Sequence, residues 1–243
     1  MLYINNFIDG ITKKKIPIVL SLCLIWFACK DSGSPESLVQ FPQKEYTLDP
    51  NGQILSTEIS IDDFEPAAVC KDCHFEHWKE WSESMHAYTM RDPVFFSGWN
   101  KEQHKRLNTG ERFCIQCHSP VAFVTGTYLD NITSHEELLN ELVDIDNSNA
   151  IADGISCSFC HSVTDLSHTV HTNDHIAANA EYNLNPGENI YYGSIENPQN
   201  NSSHNSEFNP IYKTSEICLP CHNLTVRGIE AEITFSEWDR IPG

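Results

Sequence analysis

Cys70-Lys71-Asp72-Cys73-His74 decides how this chain is read, because the same arrangement occurs four times. It returns as Cys114-Ile115-Gln116-Cys117-His118, as Cys157-Ser158-Phe159-Cys160-His161 and as Cys218-Leu219-Pro220-Cys221-His222. Two cysteines three apart sit one helical turn apart, so both thiols can reach the two vinyl groups of one porphyrin as thioethers. The histidine that follows then lies under the iron and binds it through an imidazole nitrogen. C-x-x-C-H is the attachment signature of c-type haem. The spacing thus predicts four covalently bound haems c, with Cys70, Cys73, Cys114, Cys117, Cys157, Cys160, Cys218 and Cys221 as thioether donors. His74, His118, His161 and His222 are the matching proximal iron ligands. The competing reading is zinc, which C-x-x-C pairs also bind. Zinc gives no reason for a histidine after every second cysteine. With 12 His in 243 residues, four such coincidences have a probability on the order of 10⁻⁵.

The bulk numbers agree. The length suits a leader plus one domain, or two small domains. Hydrophobic residues make up 40%, below the usual share for a chain that builds its core from side chains alone. Four macrocycles filling the interior would offset that shortage. Of ten cysteines, eight lie in the motifs, leaving only Cys23 and Cys29 in or beside an N-terminal apolar segment. No pair remains for a disulfide framework. The net charge of −19 makes nucleic acid and anionic membrane surfaces poor partners, and suits a basic face on a redox protein of the cell envelope.

Lys13-Lys14-Lys15 precede an uncharged apolar run over residues 16–28. Thirteen residues are too few to span a bilayer and resemble the n- and h-regions of a secretory signal. Trp26-Phe27-Ala28-Cys29 resembles a bacterial lipobox, with Cys29 the residue to be lipidated, although Trp26 and Phe27 depart from its usual pattern. Simple cleavage or an uncleaved anchor are the alternatives. The division expected is a signal over 1–28, a polar linker over 29–60 containing Pro35, Pro42 and Pro50, and a haem domain over 61–243. Export also follows from the motifs, because haem is attached to C-x-x-C-H outside the bacterial cytoplasm.

Within that domain, a helix is expected from the first motif to residue 91, ended by Asp92-Pro93. Trp78, Trp81 and Met85 follow at i+3 and i+4 and form an apolar stripe for core packing. His86 stands twelve residues beyond His74, about 18 Å along a continuous helix. As a distal ligand it must therefore serve a different haem. His77, one turn from His74, lies on the face already occupied.

The first motif followed by Trp81-Ser82-Glu83-Ser84-Met85-His86-Ala87 and Asp92-Pro93-Val94-Phe95 resembles the multihaem cytochromes c of the cytochrome c-554 type (the c-552/c-554 family). Further matches follow in order: residues 113–122 around the second motif, Asp153-Gly154-Ile155-Ser156-Cys157 at the third, then Tyr192-Gly193, His204 and residues 217–223 at the fourth. The similarity covers about residues 65–240. It implies a mainly α, loop-rich electron carrier in which haems take the place of a large side-chain core and most irons have two histidine ligands. It also implies His204 as a distal ligand beside His86. The segment 232–238 resembles one that precedes a further motif, and the sequence stops at Gly243 before any; a C-terminal truncation is expected, with evolutionary loss of that haem the alternative.

Other histidines are weaker distal candidates. Ser134-His135-Glu136-Glu137 reads as a capping box, placing His135 on a solvated first turn ahead of Leu138, Leu139, Leu142 and Ile145. His104 sits among Lys101, Lys105 and Arg106; His168, His171 and His175 open a long segment rich in Asn, Pro and Gly, draped over cofactor edges. Three functions from different classes follow. The first is an exported electron carrier. The second is a multihaem oxidoreductase acting on a small nitrogen or sulfur compound at an iron without a distal histidine, although no C-x-x-C-Lys motif occurs. The third is a lipid-anchored zinc scaffold or gas sensor.

Overall fold

The computed structural model describes residues 41–49, 54–98, 112–127, 150–166, 180–226 and 229–239. The chain divides into two units, Met1–Gln40 and Phe41–Gly243, and every described residue belongs to the second. The expected signal, Cys29 and the first part of the linker lie outside the described residues, as do His104, His135, His168, His171 and His175.

An antiparallel hairpin opens the unit, β1 (Tyr46–Leu48) with β2 (Ile54–Thr57), Tyr46 opposite Thr57. A 3-10 turn follows at Ile61–Asp63, closed by a reciprocal cap: the Ser60 N–H donates to Asp63 Oδ2 (2.8 Å) and the Asp62 N–H to Ser60 Oγ. Four short helices come next: α1 (Ala67–Cys70), α2 (Phe75–Ser82), α3 (Met85–Tyr88) and α4 (Pro93–Gly98). The second motif supplies α5 (Ile115–His118), running into α6 (Pro120–Thr125), and the third supplies α7 (Cys157–Cys160). Beyond it, β3 (Val163–Leu166) pairs antiparallel with β4 (Tyr182–Leu184). Strand β5 (Ile190–Gly193) pairs parallel with β6 (Asn205–Phe208). Helix α8 (Leu219–His222) carries the fourth motif, followed by the hairpin β7 (Leu224–Val226) and β8 (Ile229–Glu232), then α9 (Thr234–Asp239). Nine short helices and four two-stranded sheets therefore share the described residues. No helix among them is long and apolar enough to cross a membrane.

The single helix expected after the first motif is broken. Ser84 is extended (φ −91°, ψ 162°), and the Ser82 and Ser84 hydroxyls donate back to the carbonyls of Lys79 and Trp81. Serines that bond their own backbone compete with the helix ladder, and here they end it. Met85, beyond the break, leaves the stripe of Trp78 and Trp81 and is 65% exposed. Asp92-Pro93 starts a helix rather than stopping one. Asp92 Oδ1 accepts the Val94 N–H (2.8 Å), and Pro93 takes the first helical position, where its missing N–H costs nothing.

The side-chain core is more substantial than the composition suggested. Phe64, Ile115, Val121, Phe123, Phe159, Val163 and Leu184 are all buried in one cluster. Phe64 stacks on Phe159, and Tyr182 meets Phe159 edge-on. Buried Arg112 donates to the carbonyls of Ala122 and Phe123, and so supplies both charge and donors to the C-terminal turn of α6. The core thus packs α5 and α6 against α7, β3 and β4, and brings the second, third and fourth motifs to its rim.

The first motif is fastened to the third through Asp153-Gly154-Ile155. Fully buried Asp153 accepts the Ala67 N–H at the start of α1 (2.7 Å), where Pro66 offers no capping side chain. The Ile155 N–H donates to the His86 carbonyl (3.1 Å), and Trp81 Nε1–H donates to the Ile155 carbonyl (2.8 Å). Between them Gly154 has φ +67°, and a Cβ there would meet the Thr89 side chain and lie 2.6 Å from the His86 carbonyl oxygen. Gly154→Ala is accordingly expected to cost about 1–3 kcal/mol through left-handed strain and displacement of α3. Thermal unfolding of the holoprotein should show a midpoint several degrees lower; an unchanged midpoint would refute this account of the α3 contact.

Candidate haem sites

Each motif folds into the turn its spacing predicts. The His74 N–H donates to the Cys70 carbonyl (2.8 Å), His118 to Cys114 (3.1 Å) and His161 to Cys157 (2.9 Å). In the third motif Ser156 caps the turn by accepting the Phe159 N–H. All eight motif cysteines are free thiols.

Tertiary packing joins the motifs in twos. The Cys70 thiol lies beside that of Cys157, and the Cys117 thiol beside that of Cys221, and within each pair one thiol is held up in pKa and the other down by their mutual contact. Tyr182 stands beside the second pair, its hydroxyl donating to the Ile217 carbonyl (3.0 Å) and lying 3.6 Å from Cys221 Sγ. Burial pushes Cys114 up to about 11 and Cys160 up to about 12.

The histidines pair across the chain. His222 of the fourth motif and His86 on α3 have ring centres 6.2 Å apart, and His74 of the first motif and His204 before β6 have theirs 6.1 Å apart. An imidazole nitrogen binds a metal at about 2 Å and lies about 1.2 Å from its ring centre, given ring bonds of about 1.35 Å. One metal between two facing imidazoles therefore separates the ring centres by about 6.3 Å. His77 is also 6.3 Å from His74. It stands on the adjacent helical turn, however, 83% exposed, with Nδ1 directed at Glu80. Distance and chain path together distinguish the two cases.

Hydrogen bonds orient several rings. Nδ1 of His161 donates to the Tyr192 carbonyl (2.7 Å), that of His118 to the Thr89 carbonyl (3.3 Å) and that of His204 to the Asn205 carbonyl (3.0 Å). This tautomer leaves Nε2 as the unprotonated, coordinating atom. Burial lowers the pKa of His86 and His118, with the nearby His222 adding to the shift of His86. Both are thereby kept in the neutral form that binds metal. The ring of Phe95 lies parallel on His118 (3.8 Å), and Tyr212 lies parallel to His161 (5.8 Å) while donating to the carbonyls of Cys160 and Val163. Among the described residues, no second imidazole faces His118 or His161. His168, His171 and His175, the cluster from which one distal ligand is expected, lie outside those residues.

These residues fit a haem better than a bare ion. Among the described residues, no three His, Cys, Asp or Glu side chains converge as an ion site. The histidines face each other in twos, and the thiols come as helical-turn pairs. Val69, Phe75, Met85, Tyr88 and Val94, all in segments flanking the first motif and His86, present exposed apolar surface of the kind a macrocycle covers. Sequence reasoning missed Thr89, Tyr182 and Tyr212, and quoted Asp153 and Gly154 in the resemblance without giving them a structural role. Only Asp153-Gly154, in a turn-forming dipeptide ahead of the capped third motif, left a readable signal. Replacing both Cys218 and Cys221 by Ser is expected to reduce the haem content of matured protein by one quarter, read by pyridine haemochrome absorbance per chain. An unchanged value would exclude the fourth motif as an attachment point.

Comparison with known proteins agrees with this chemistry. Residues 69–162 match the family model described as cytochrome c554 and c-prime, a stretch holding the first three motifs and His86. The solved penta-haem cytochrome c552 from Thermochromatium tepidum is similar at 19% identity with a TM-score of 0.40, over 65% of this chain and 47% of that one. The chain thus spans about half the length of that cytochrome. No curated protein matches it. By the family match over 69–162, together with the free thiol pairs and the imidazoles beside them, this part of the chain is similar to the multihaem c-type cytochromes of the cytochrome c554 kind.

Proposed function

We propose that this protein is an exported electron carrier with four haems c, in which His74 with His204, and His222 with His86, are the axial ligand pairs of two irons. The observation that carries this reading is the facing of two imidazole pairs at 6.1 and 6.2 Å, each pair joining a motif histidine to one from a distant segment. Bound haem c supplies a one-electron iron couple. The residues decide how it is used. Imidazoles on both faces leave an iron no position for a substrate, and hold its potential below that of a His/Met site. The Cys70–Cys157 and Cys117–Cys221 contacts support close placement of the first macrocycle with the third, and of the second with the fourth.

The rest of the reading concerns location and partners. Residues 1–28 act as an export signal, Cys29 carries a lipid, and the linker tethers the domain to the cell envelope. The charge of −19 favours a redox partner with a basic docking face and disfavours nucleic acid. A second reading keeps the oxidoreductase open at the irons of His118 or His161, because no second imidazole faces either among the described residues.

EPR of the oxidised holoprotein separates the two. Only low-spin ferric signals are expected for the carrier; a high-spin signal integrating to one haem per chain would support the oxidoreductase. His86→Ala and His204→Ala are each expected to convert one haem per chain from low to high spin while all four haems stay attached by mass. If neither conversion occurs, the proposed ligand pairs are wrong.

A further inference from the structure

We propose that Tyr191 is a positioning residue for His204, its perpendicular ring setting the plane of the imidazole that lies beside His74. The inference rests on the reading of His204 as an iron ligand. The Tyr191 and His204 rings meet edge-on at 89°, with centres 5.1 Å apart. An aromatic edge carries partial positive charge and an aromatic face partial negative charge, so this geometry is attractive and resists rotation of either ring.

The surrounding backbone makes the contact rigid. Tyr191 lies in β5 directly opposite Ser206 of the parallel strand β6, and Ile190 lies opposite Asn205. His204 is the residue immediately before β6, so the strand pairing fixes its main chain beside Tyr191. The Asn205 N–H donates to the carbonyl of Asn189, itself in the left-handed region at φ 54°. Asn201 Oδ1 accepts the N–H groups of Ser203 (2.7 Å) and His204 (3.2 Å), and Asn200 Oδ1 accepts that of Ser206 (2.9 Å). On the imidazole itself, Nδ1 faces the Asn205 carbonyl at 3.0 Å and the Ser206 hydroxyl at 3.3 Å. At the other end of the contact, the Tyr191 hydroxyl lies beside Ser158 of α7. Ser158 in turn accepts the Glu65 N–H (3.1 Å), ahead of α1.

Tyr191 therefore links the third motif, the approach to the first motif and the His204 ring. The His74 and His204 planes stand 32° apart, whereas those of His86 and His222 stand 53° apart. In a low-spin ferric haem the angle between axial imidazole planes sets the splitting of two iron d orbitals, and hence the largest g value. Orientation of the ligand ring by its neighbours is one of the levers a protein has on such a centre.

The test is EPR on the fully matured, oxidised chain. Tyr191→Leu removes the ring and is expected to shift and broaden the largest g value of one low-spin signal, leaving the others and the haem count unchanged. Tyr191→Phe keeps the ring, loses only the hydroxyl, and is expected to reproduce the parent spectrum. A Leu variant with the parent g values overturns the proposal, as does a Phe variant that shifts as far as Leu. A crystal structure of the parent holoprotein gives an independent reading: a Tyr191 ring away from the edge-on contact overturns the proposal whatever the variants do. His204→Ala separates this failure from failure of the ligand reading. If His204→Ala leaves all low-spin signals in place, His204 is not a ligand; if it yields a high-spin haem while Tyr191→Leu changes nothing, the ligand stands and only the positioning role falls.

Discussion

A buried carboxylate holds this molecule together. Asp153 is fully removed from solvent, and a carboxylate in that position is tolerable only when hydrogen bonds replace its lost water. It accepts the first N–H of α1, a group that Pro66 cannot cap, so helix start and buried acid each satisfy the other. The next residues extend the joint. Gly154 lets the chain pass against α3 at a distance no side chain would allow, Ile155 bonds both His86 and Trp81, and Ser156 caps the third motif. Four consecutive residues thereby place two C-x-x-C-H turns and one distant histidine relative to each other.

That joint explains why the described elements can be so short. An isolated four-residue helix has no stability of its own in water. Here each motif turn borrows rigidity from neighbours: α1 from Asp153, α5 from the Phe64–Phe159 core, α8 from Tyr182 and Ile217. The two-stranded sheets serve the same end. Strands β5 and β6 run parallel, and residues 194–204 between them return the chain so that His204 emerges beside the start of β5. A hairpin would have set the histidine at the opposite end of the pair.

The proposed function draws on this cross-wiring. Each pair takes one imidazole from a motif and one from elsewhere, His74 and His204 lying 130 positions apart in the sequence and His86 and His222 136. Long-range pairs of this kind depend on the whole fold. Rigid surroundings suit electron transfer, in which little should move when charge arrives. The apolar side-chain core and the apolar surfaces around the first motif divide the work of burial between them.

Much of the chemistry was legible in the residues alone. Five consecutive positions fix the geometry of each motif, because a helical turn brings residues i, i+3 and i+4 to one side whatever the fold around it. The family resemblance singles out His86 and His204 as candidate ligands, and setting His77 aside needs only the helical repeat. Which motif each distant histidine faces was beyond reach. That depended on a helix broken by the back-bonding of Ser82 and Ser84, on a proline that begins α4, and on a parallel strand pair with no periodic signature. Such outcomes turn on contacts between segments far apart in the chain, where hydrogen bonds and steric fit decide among several locally acceptable conformations.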